Sequence, residues 1–240
     1  MARRRFFVDW IHGDRAELTG DDARHVVRVL RAEVGHQYEL SDNQRAFLAE
    51  IAEVGAQRVT FRIVEPLALD PPSPEITIYA ALIKFDRFEW LVEKATELRV
   101  ARIVPVDADR AEEGLARAAA KRVERWKKIA RESSQQARRL RIPEIAAPAT
   151  FDAAVSDATA ARFFLEERPG ADPLLRVLPA DRTPNDAIAI LTGPEGGWTD
   201  RERSQAAGAG WKPVSLGRQI LRAETSAIAA LAILGQAWQI

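Results

Sequence analysis

The chain has 240 residues with 35 basic and 35 acidic side chains, so its net charge is zero; a globally basic nucleic-acid binder is excluded, but a local basic face is not. Cysteine is absent, which excludes disulfides and thiolate metal sites and fits a reducing compartment, and the three histidines (His12, His25, His36) are too widely spaced to suggest zinc, so no metal is expected. The basic start (Arg3, Arg4, Arg5) is not followed by an apolar stretch long enough for a signal peptide. No apolar run approaches the roughly 20 residues of a membrane span, so a soluble cytoplasmic protein is expected, with no membrane partner.

In the first 70 residues, Asp21 or Asp22 is expected to cap a helix running to about Ala32, with Val27, Leu30 and Val34 as its apolar stripe. Arg24, Arg28 and Arg31 recur at i, i+4 and i+7 on another face. Strand candidates follow at 37–40, 47–53 and 58–64, with Asn43 and Gly55 in the turns. One helix plus several short strands predicts a small β-barrel-like domain at 1–70. Pro71, Pro72 and Pro74 then mark a linker, because proline fixes φ and removes a donor.

Strands and helices alternate from 75 to 240. Candidate strands are 76–83, 102–106, 162–166, 187–191 and 213–216. Asp86 with Glu89 predicts a capping box for a helix whose buried stripe is Phe88, Leu91, Val92, Ala95 and Leu98. A long charged helix is expected over 117–139. Thr199 with Glu202 predicts a second capping box, Gly208 and Gly210 end that helix, and a last helix covers 223–238. This alternation argues for an α/β layer with a mostly parallel sheet.

Two segments carry the functional signal. Leu191, Thr192, Gly193, Pro194, Glu195, Gly196 and Gly197 follow one strand; Ser215, Leu216 and Gly217, then Ile220 to Ser226, follow another. Ligands of open α/β sheets bind at such carboxyl ends. The glycines permit tight turns that leave backbone groups open to a ligand. No phosphate-loop lysine follows, the dinucleotide spacing is absent, and Glu195 disfavours an anion; a neutral or cationic cofactor fits better.

These paired loops resemble the SPOUT class of RNA methyltransferases, and within it the bacterial enzymes that methylate uridine N3 in small-subunit ribosomal RNA. Further matches preserve the family order: His25-Val26-Val27-Arg28-Val29-Leu30-Arg31, Lys84-Phe85-Asp86-Arg87, Lys94-Ala95-Thr96-Glu97-Leu98, and Gln135-Gln136-Ala137-Arg138-Arg139 ahead of Pro143. Gln219 departs from the family's usual arginine, and Ala223 and Ser226 from its threonine and alanine.

The resemblance implies a SPOUT methyltransferase domain at 75–240 with a C-terminal trefoil knot, a topology that chain physics alone would not suggest, behind a PUA-like RNA-binding barrel at 1–70. It implies S-adenosylmethionine as cofactor, a homodimer, and ribosomal RNA or the small ribosomal subunit as partner. Expected cofactor contacts are Leu191 to Gly197 in the first loop and Ser215, Leu216, Gly217, Ile220, Leu221, Arg222 and Thr225 in the second. Arg139 and Arg222 are candidates to orient the base or stabilise charge, with Glu195 and Glu224 as candidate proton acceptors. RNA contacts are expected from Arg3, Arg4, Arg5, Arg24, Arg28, Arg31, Lys84, Arg87 and Arg139. The alternatives are a ribose 2′-O-methyltransferase of the same class and a non-catalytic RNA-binding ribosome-assembly protein.

Overall fold

The computed structural model describes residues 4–8, 10–69, 71–157 and 161–238; Arg3 lies outside them. The chain forms two compact units, Met1–Pro71 with Arg131–Ile142, and Pro72–Ala130 with Pro143–Ile240.

The first unit is a curled sheet built from β1 (Arg5–Phe7), β2 (Trp10–His12), β3 (Arg15–Thr19), β4 (Gln37–Ser41), β5 (Ala46–Val54) and β6 (Arg58–Pro66), with one helix, α1 (Gly20–Arg28). Its strand order is β1-β4-β5-β6-β3-β2; only β1 and β4 run parallel. Register shifts at Leu48/Ala49 and Ile51/Glu53 bend β5 against β6, as bulges do. Phe6, Leu18, Val26, Leu40, Ile51, Val59 and Phe61 fill the interior. The expected barrel-like domain is therefore present, although β1 to β3 are too short and too charged for alternation to reveal them.

Helix α1 differs from expectation. Ala23 and Val26 are its buried residues, whereas Val34 is 64% exposed. The helix stops early because Arg31 takes φ +47 and Ala32 N–H returns to Val26 C=O at 3.2 Å, a left-handed closure. Arg31 thus falls outside the helix, and the arginines at 24, 28 and 31 do not form one helical face.

The segment Arg131–Ile142 is fastened to this unit by two carboxylates, each shared. Asp22 accepts from Arg131 (2.8 Å) and Gln135 (3.0 Å). Glu39 accepts from Arg5 (2.9 and 3.1 Å) and also pairs with Arg138. Ser41 Oγ donates to Leu140 C=O at 2.6 Å.

The second unit contains β7 (Glu75–Ala81), α2 (Phe85–Glu97), β8 (Arg102–Asp107), α3 (Leu115–Ala119), a 3₁₀ turn (Ala120–Arg122) and α4 (Val123–Gln136), whose last turns belong to the first unit. It continues with β9 (Glu144–Ile145), β10 (Ala149–Thr150), α5 (Phe151–Asp157), β11 (Ala161–Leu165), β12 (Asp172–Pro173), α6 (Leu174–Val177), β13 (Ala187–Thr192), α7 (Asp200–Gly208), β14 (Lys212–Ser215) and α8 (Ala223–Ala237). All pairings are parallel, in the order β10-β8-β7-β13-β11-β14-β12, with β9 also on β8. β7 and β13 are apolar along nearly their whole length, as a sheet covered on both faces requires.

One helix start and one helix length differ from the sequence reading. Lys84, not Asp86, occupies the N-cap of α2 and no side chain caps it; Asp86 sits in the first turn, where its charge suits the helix dipole. Glu89 is drawn away to Arg125 at 2.6 and 2.7 Å. The helix expected over 117–139 is split by the 3₁₀ turn and ends at Gln136, where Arg138 adopts φ +54. Among the described residues, no helix is long and apolar enough to cross a membrane.

Candidate active site

Strand β11 lies between β13 and β14 in the sheet, yet the chain visits β11 first, then β13, then β14. Successive connections therefore leave to opposite sides of β11, the kind of switch point where a crevice opens beyond the strand ends. Three loops meet there.

The loop after β13 is wedged open by its glycines. Gly197 has φ +67, a left-handed conformation in which side chains are strained, and its N–H closes a turn on Pro194 C=O at 2.9 Å. A Cβ on Gly193 would lie 3.0 Å from Trp198 Nε1. Trp198 is 1% exposed, stacks on Phe164 and donates to Leu165 C=O at 3.0 Å, so it ties this loop to the end of β11. The expected capping box forms: Thr199 Oγ1 accepts from Glu202 N–H (3.3 Å) while Glu202 accepts from Thr199 N–H (2.8 Å). The segment after β8 braces the loop: Asp109 N–H donates to Glu202 (2.9 Å), the Asp109 carboxylate accepts from Thr199 Oγ1 (2.9 Å), and Arg110 donates to Gly196 C=O (3.2 Å).

After β14, Ser215 Oγ accepts the Gly217 N–H at 3.1 Å, and Gly217 turns the chain at φ +131. Arg222 then caps α8, its carbonyl taking Ser226 N–H at 2.8 Å. Between them Ile220 is 86% exposed, an apolar side chain held at the rim.

The loops enclose a cleft of about 470 Å³. Gly193, Pro194, Glu195, Gly197 and Trp198 line it from the first loop, and Ser215 through Ala223 with Ser226 line it from the second. The end of β11 adds Leu165, Glu166 and Glu167, and α2 adds Arg87. Arg87 forms an ion pair with Glu195. Burial pushes the Glu166 carboxyl up, but the Arg203 guanidinium at 2.6 Å, with the Arg168 N–H, more than reverses this and holds it below its usual range. Glu167 is farther from Arg203, at 3.8 Å, and is the less committed carboxylate.

Several expected residues fall elsewhere. Leu191 and Thr192 are buried within β13, supporting the loop without lining the cleft. Gly196 and Lys84 line an adjoining smaller pocket, and exposed Thr225 lines neither. Arg139 belongs to the Arg131–Ile142 segment of the first unit and is not among the lining residues. Arg5 is committed to Glu39 and only 8% exposed, which leaves its guanidinium unavailable to a phosphate; Arg4 is half-buried against His25 at 2.8 Å, and Arg24 pairs with Asp21. Sequence reasoning missed Leu165, Glu166 and Glu167, although the apolar run at 163–165 ending in two acids and Pro169-Gly170 was the signal. Gln219, which departs from the family's usual arginine, also lines the cleft. Among the described residues no group of three or more His, Asp or Glu is placed to hold a metal.

The family described as RNA methyltransferase domain matches residues 71–235, and the RNA methyltransferase PUA domain matches residues 18–64. The ribosomal RNA small subunit methyltransferase E of Synechocystis sp. is 33% identical over 222 residues, covering 90% of this chain and 71% of that protein. A Legionella pneumophila protein described as a methyltransferase, solved with bound SAM, is 31% identical with a TM-score of 0.88, covering 99% of this chain and 98% of that one. The ribosomal RNA small subunit methyltransferase E of Neisseria gonorrhoeae, solved bound to S-adenosyl methionine, is 29% identical with a TM-score of 0.87, covering 98% of each chain. The chain belongs to the RNA methyltransferase family, in the group named ribosomal RNA small subunit methyltransferase E.

Proposed function

We propose that this protein transfers a methyl group from S-adenosylmethionine to N3 of a uridine in small-subunit ribosomal RNA. The observation that carries the reading is the cleft at the switch point, whose lining suits that donor. Its volume of about 470 Å³ falls in the range of small-molecule sites, roughly 300–1,000 Å³. Gly193, Gly197 and Gly217 keep side chains out of the way of a ligand against the backbone. Leu165, Val214, Leu216 and Leu221 offer apolar walls, and Glu166, Glu167 and Glu195 offer the negative charge that a sulfonium and an ammonium require.

When bound, the cofactor supplies a methyl carbon activated by positive sulfur, which leaves with the bonding electrons. The protein's part is to present a lone pair in line with that carbon and to remove the N3 proton. Glu195, at the cleft wall with Arg87 beside it, is the proposed proton acceptor, and Arg222 at the rim stabilises negative charge on the base oxygens. Arg139 is retained as a base-orienting candidate on the strength of the family motif.

The trefoil knot, the homodimer and a cytoplasmic location belong to the same reading. Half-buried Ile228, Ala229 and Ile233 with exposed Ala232 leave an apolar strip along α8 for a second copy to cover. Arg4, Arg24, Arg28, Arg31, Lys84 and Arg87 are proposed RNA contacts, with Arg5 excluded by its buried pairing. The test is calorimetry with S-adenosylmethionine followed by incubation with labelled cofactor and small-subunit RNA. Saturable binding and label in the RNA support the proposal; absence of cofactor binding at high protein concentration favours a non-catalytic assembly protein.

A further inference from the structure

A second pocket, of about 190 Å³, adjoins the cleft over the ends of β7, β8 and β13. Leu82, Ile83 and Lys84 follow β7, Arg110, Ala111 and Glu112 follow β8, and Pro194, Glu195 and Gly196 follow β13. Arg110 and Glu112 belong to no motif singled out above. We propose that this pocket seats the acceptor base, a uracil whose carbonyl oxygens accept from Lys84 and Arg110; the inference rests on the methyltransferase reading of the larger cleft.

Three features carry it. First, Pro194 and Glu195 line both pockets, so a ligand in one meets a ligand in the other across that wall. In-line transfer needs its two reacting atoms roughly 3–3.5 Å apart, and a pocket that shares lining residues with the donor cleft is placed to meet that requirement. Secondly, the volume is below the roughly 300–1,000 Å³ of a drug-sized ligand site, leaving room for one pyrimidine and not for a whole nucleotide. Thirdly, the polar groups match. Lys84 makes no side-chain hydrogen bond or ion pair among the described residues, and Arg110 spends one N–H on Gly196 C=O at 3.2 Å. Both therefore have donors to spare. The N3 edge of uracil presents acceptor, donor, acceptor; two cationic donors and the Glu195 carboxylate complement it, with N3 turned toward the donor cleft. Glu112, the remaining charge, disfavours a phosphate. Cytosine would set its amino group against a cation and leave one of the two donors without an acceptor, which disfavours it relative to uracil.

The test uses the full chain and the variants Lys84→Ala and Arg110→Lys. It reads the cofactor Kd by calorimetry, kcat/KM on small-subunit RNA, and the affinity ratio for RNAs carrying uridine or cytidine at the methylated position. Lys84→Ala is expected to keep the cofactor Kd within about twofold, to lower kcat/KM by roughly 10- to 100-fold, the size of one lost hydrogen bond to a charged group, and to bring the uridine-to-cytidine ratio toward one. Arg110→Lys, which keeps charge but loses the fork, is expected to reduce the same ratio. Lys84→Ala with parental kcat/KM and parental discrimination overturns the inference. An Arg110→Lys variant whose only defect is weaker cofactor binding also overturns it, because Arg110 would then act solely by bracing the glycine loop. If the parent transfers methyl normally in either case, the function proposed for the larger cleft still stands; a parent that transfers none to RNA refutes that function itself.

Discussion

Replacing Gly193 with alanine adds one methyl group at a tightly packed point of the first loop. That methyl would lie 3.0 Å from Trp198 Nε1 and 3.1 Å from Cε2, closer than side-chain carbons normally come, so something must move by a few tenths of an ångström. The indole has little freedom to do so. It is held between Phe164 (ring centres 4.9 Å apart) and Phe151 (5.4 Å), and its N–H is committed to Leu165 C=O. Overpacking of this kind costs about 1–3 kcal/mol. If the indole yields, the Leu165 carbonyl loses a donor worth about 1 kcal/mol; if the loop yields, Pro194 and Glu195 shift into the cleft. Urea unfolding with an unchanged m-value is expected to show a loss of about 2 kcal/mol. Calorimetry is expected to show S-adenosylmethionine binding weakened by roughly tenfold, the equivalent of about 1.4 kcal/mol. A Gly193→Ala protein with the parental midpoint and parental affinity would refute the claim that Trp198 holds this loop in place.

Other consequences follow from charge and backbone geometry. Burial and the Asp157 carboxylate at 2.9 Å push the Tyr79 hydroxyl up to about 12, and burial also raises Tyr38, the only other tyrosine. Stability from these groups is complete below the unfolded value near 10 and is lost as pH rises toward 12. Titration at 295 nm should show little tyrosinate at pH 10 in the folded protein, and Asp157→Asn should bring Tyr79 down; ordinary titration of both rings would contradict this. Arg203→Met leaves the Glu166 carboxylate largely buried and unpaired, with an expected loss of about 3–5 kcal/mol at pH 7. Because the Glu166 carboxyl lies below its unfolded value near 4.3 when paired, this stabilisation is present above that value and fades as pH falls through the folded one. The two proteins should therefore converge in denaturant melts only once the pH has fallen below that depressed folded value, and a difference that persists there would argue for lost packing instead. Arg31→Gly should raise stability by about 0.5–1 kcal/mol, since glycine relieves the left-handed strain at φ +47 and gives back part of the gain as unfolded-state entropy. A neutral or destabilising result would mean that the exposed Arg31 side chain makes a stabilising contact.

The second unit was readable because its physics is local. Apolar runs became β7, β8, β11, β13 and β14, the stripe from Phe88 to Ala95 is buried, and Thr199 with Glu202 forms the box that their spacing implied. The cleft was half readable for the same reason: glycines at strand ends mark turns, whichever strands become neighbours. The contribution of β11 was not readable, because Glu166 and Glu167 reach the site only once β11 is inserted between β13 and β14, and sheet order is a non-local property. The N-terminal arginines misled in the opposite direction. Arg5 sits in a basic run yet is buried, because all of β1 is covered and Glu39, its register partner on the paired strand, supplies a buried carboxylate for its guanidinium. The ends of α1 and α4 were overextended because arginine at left-handed φ, in Arg31 and Arg138, stops a helix where glycine would have been the visible signal.

The most direct test is nucleoside mass spectrometry of small-subunit RNA treated with this protein and S-adenosylmethionine, the RNA being taken from cells that lack the protein. The account predicts one new methylated uridine per RNA with the added mass on the base fragment and co-elution with 3-methyluridine. A methyl group on the ribose fragment, or on any other base, would contradict it.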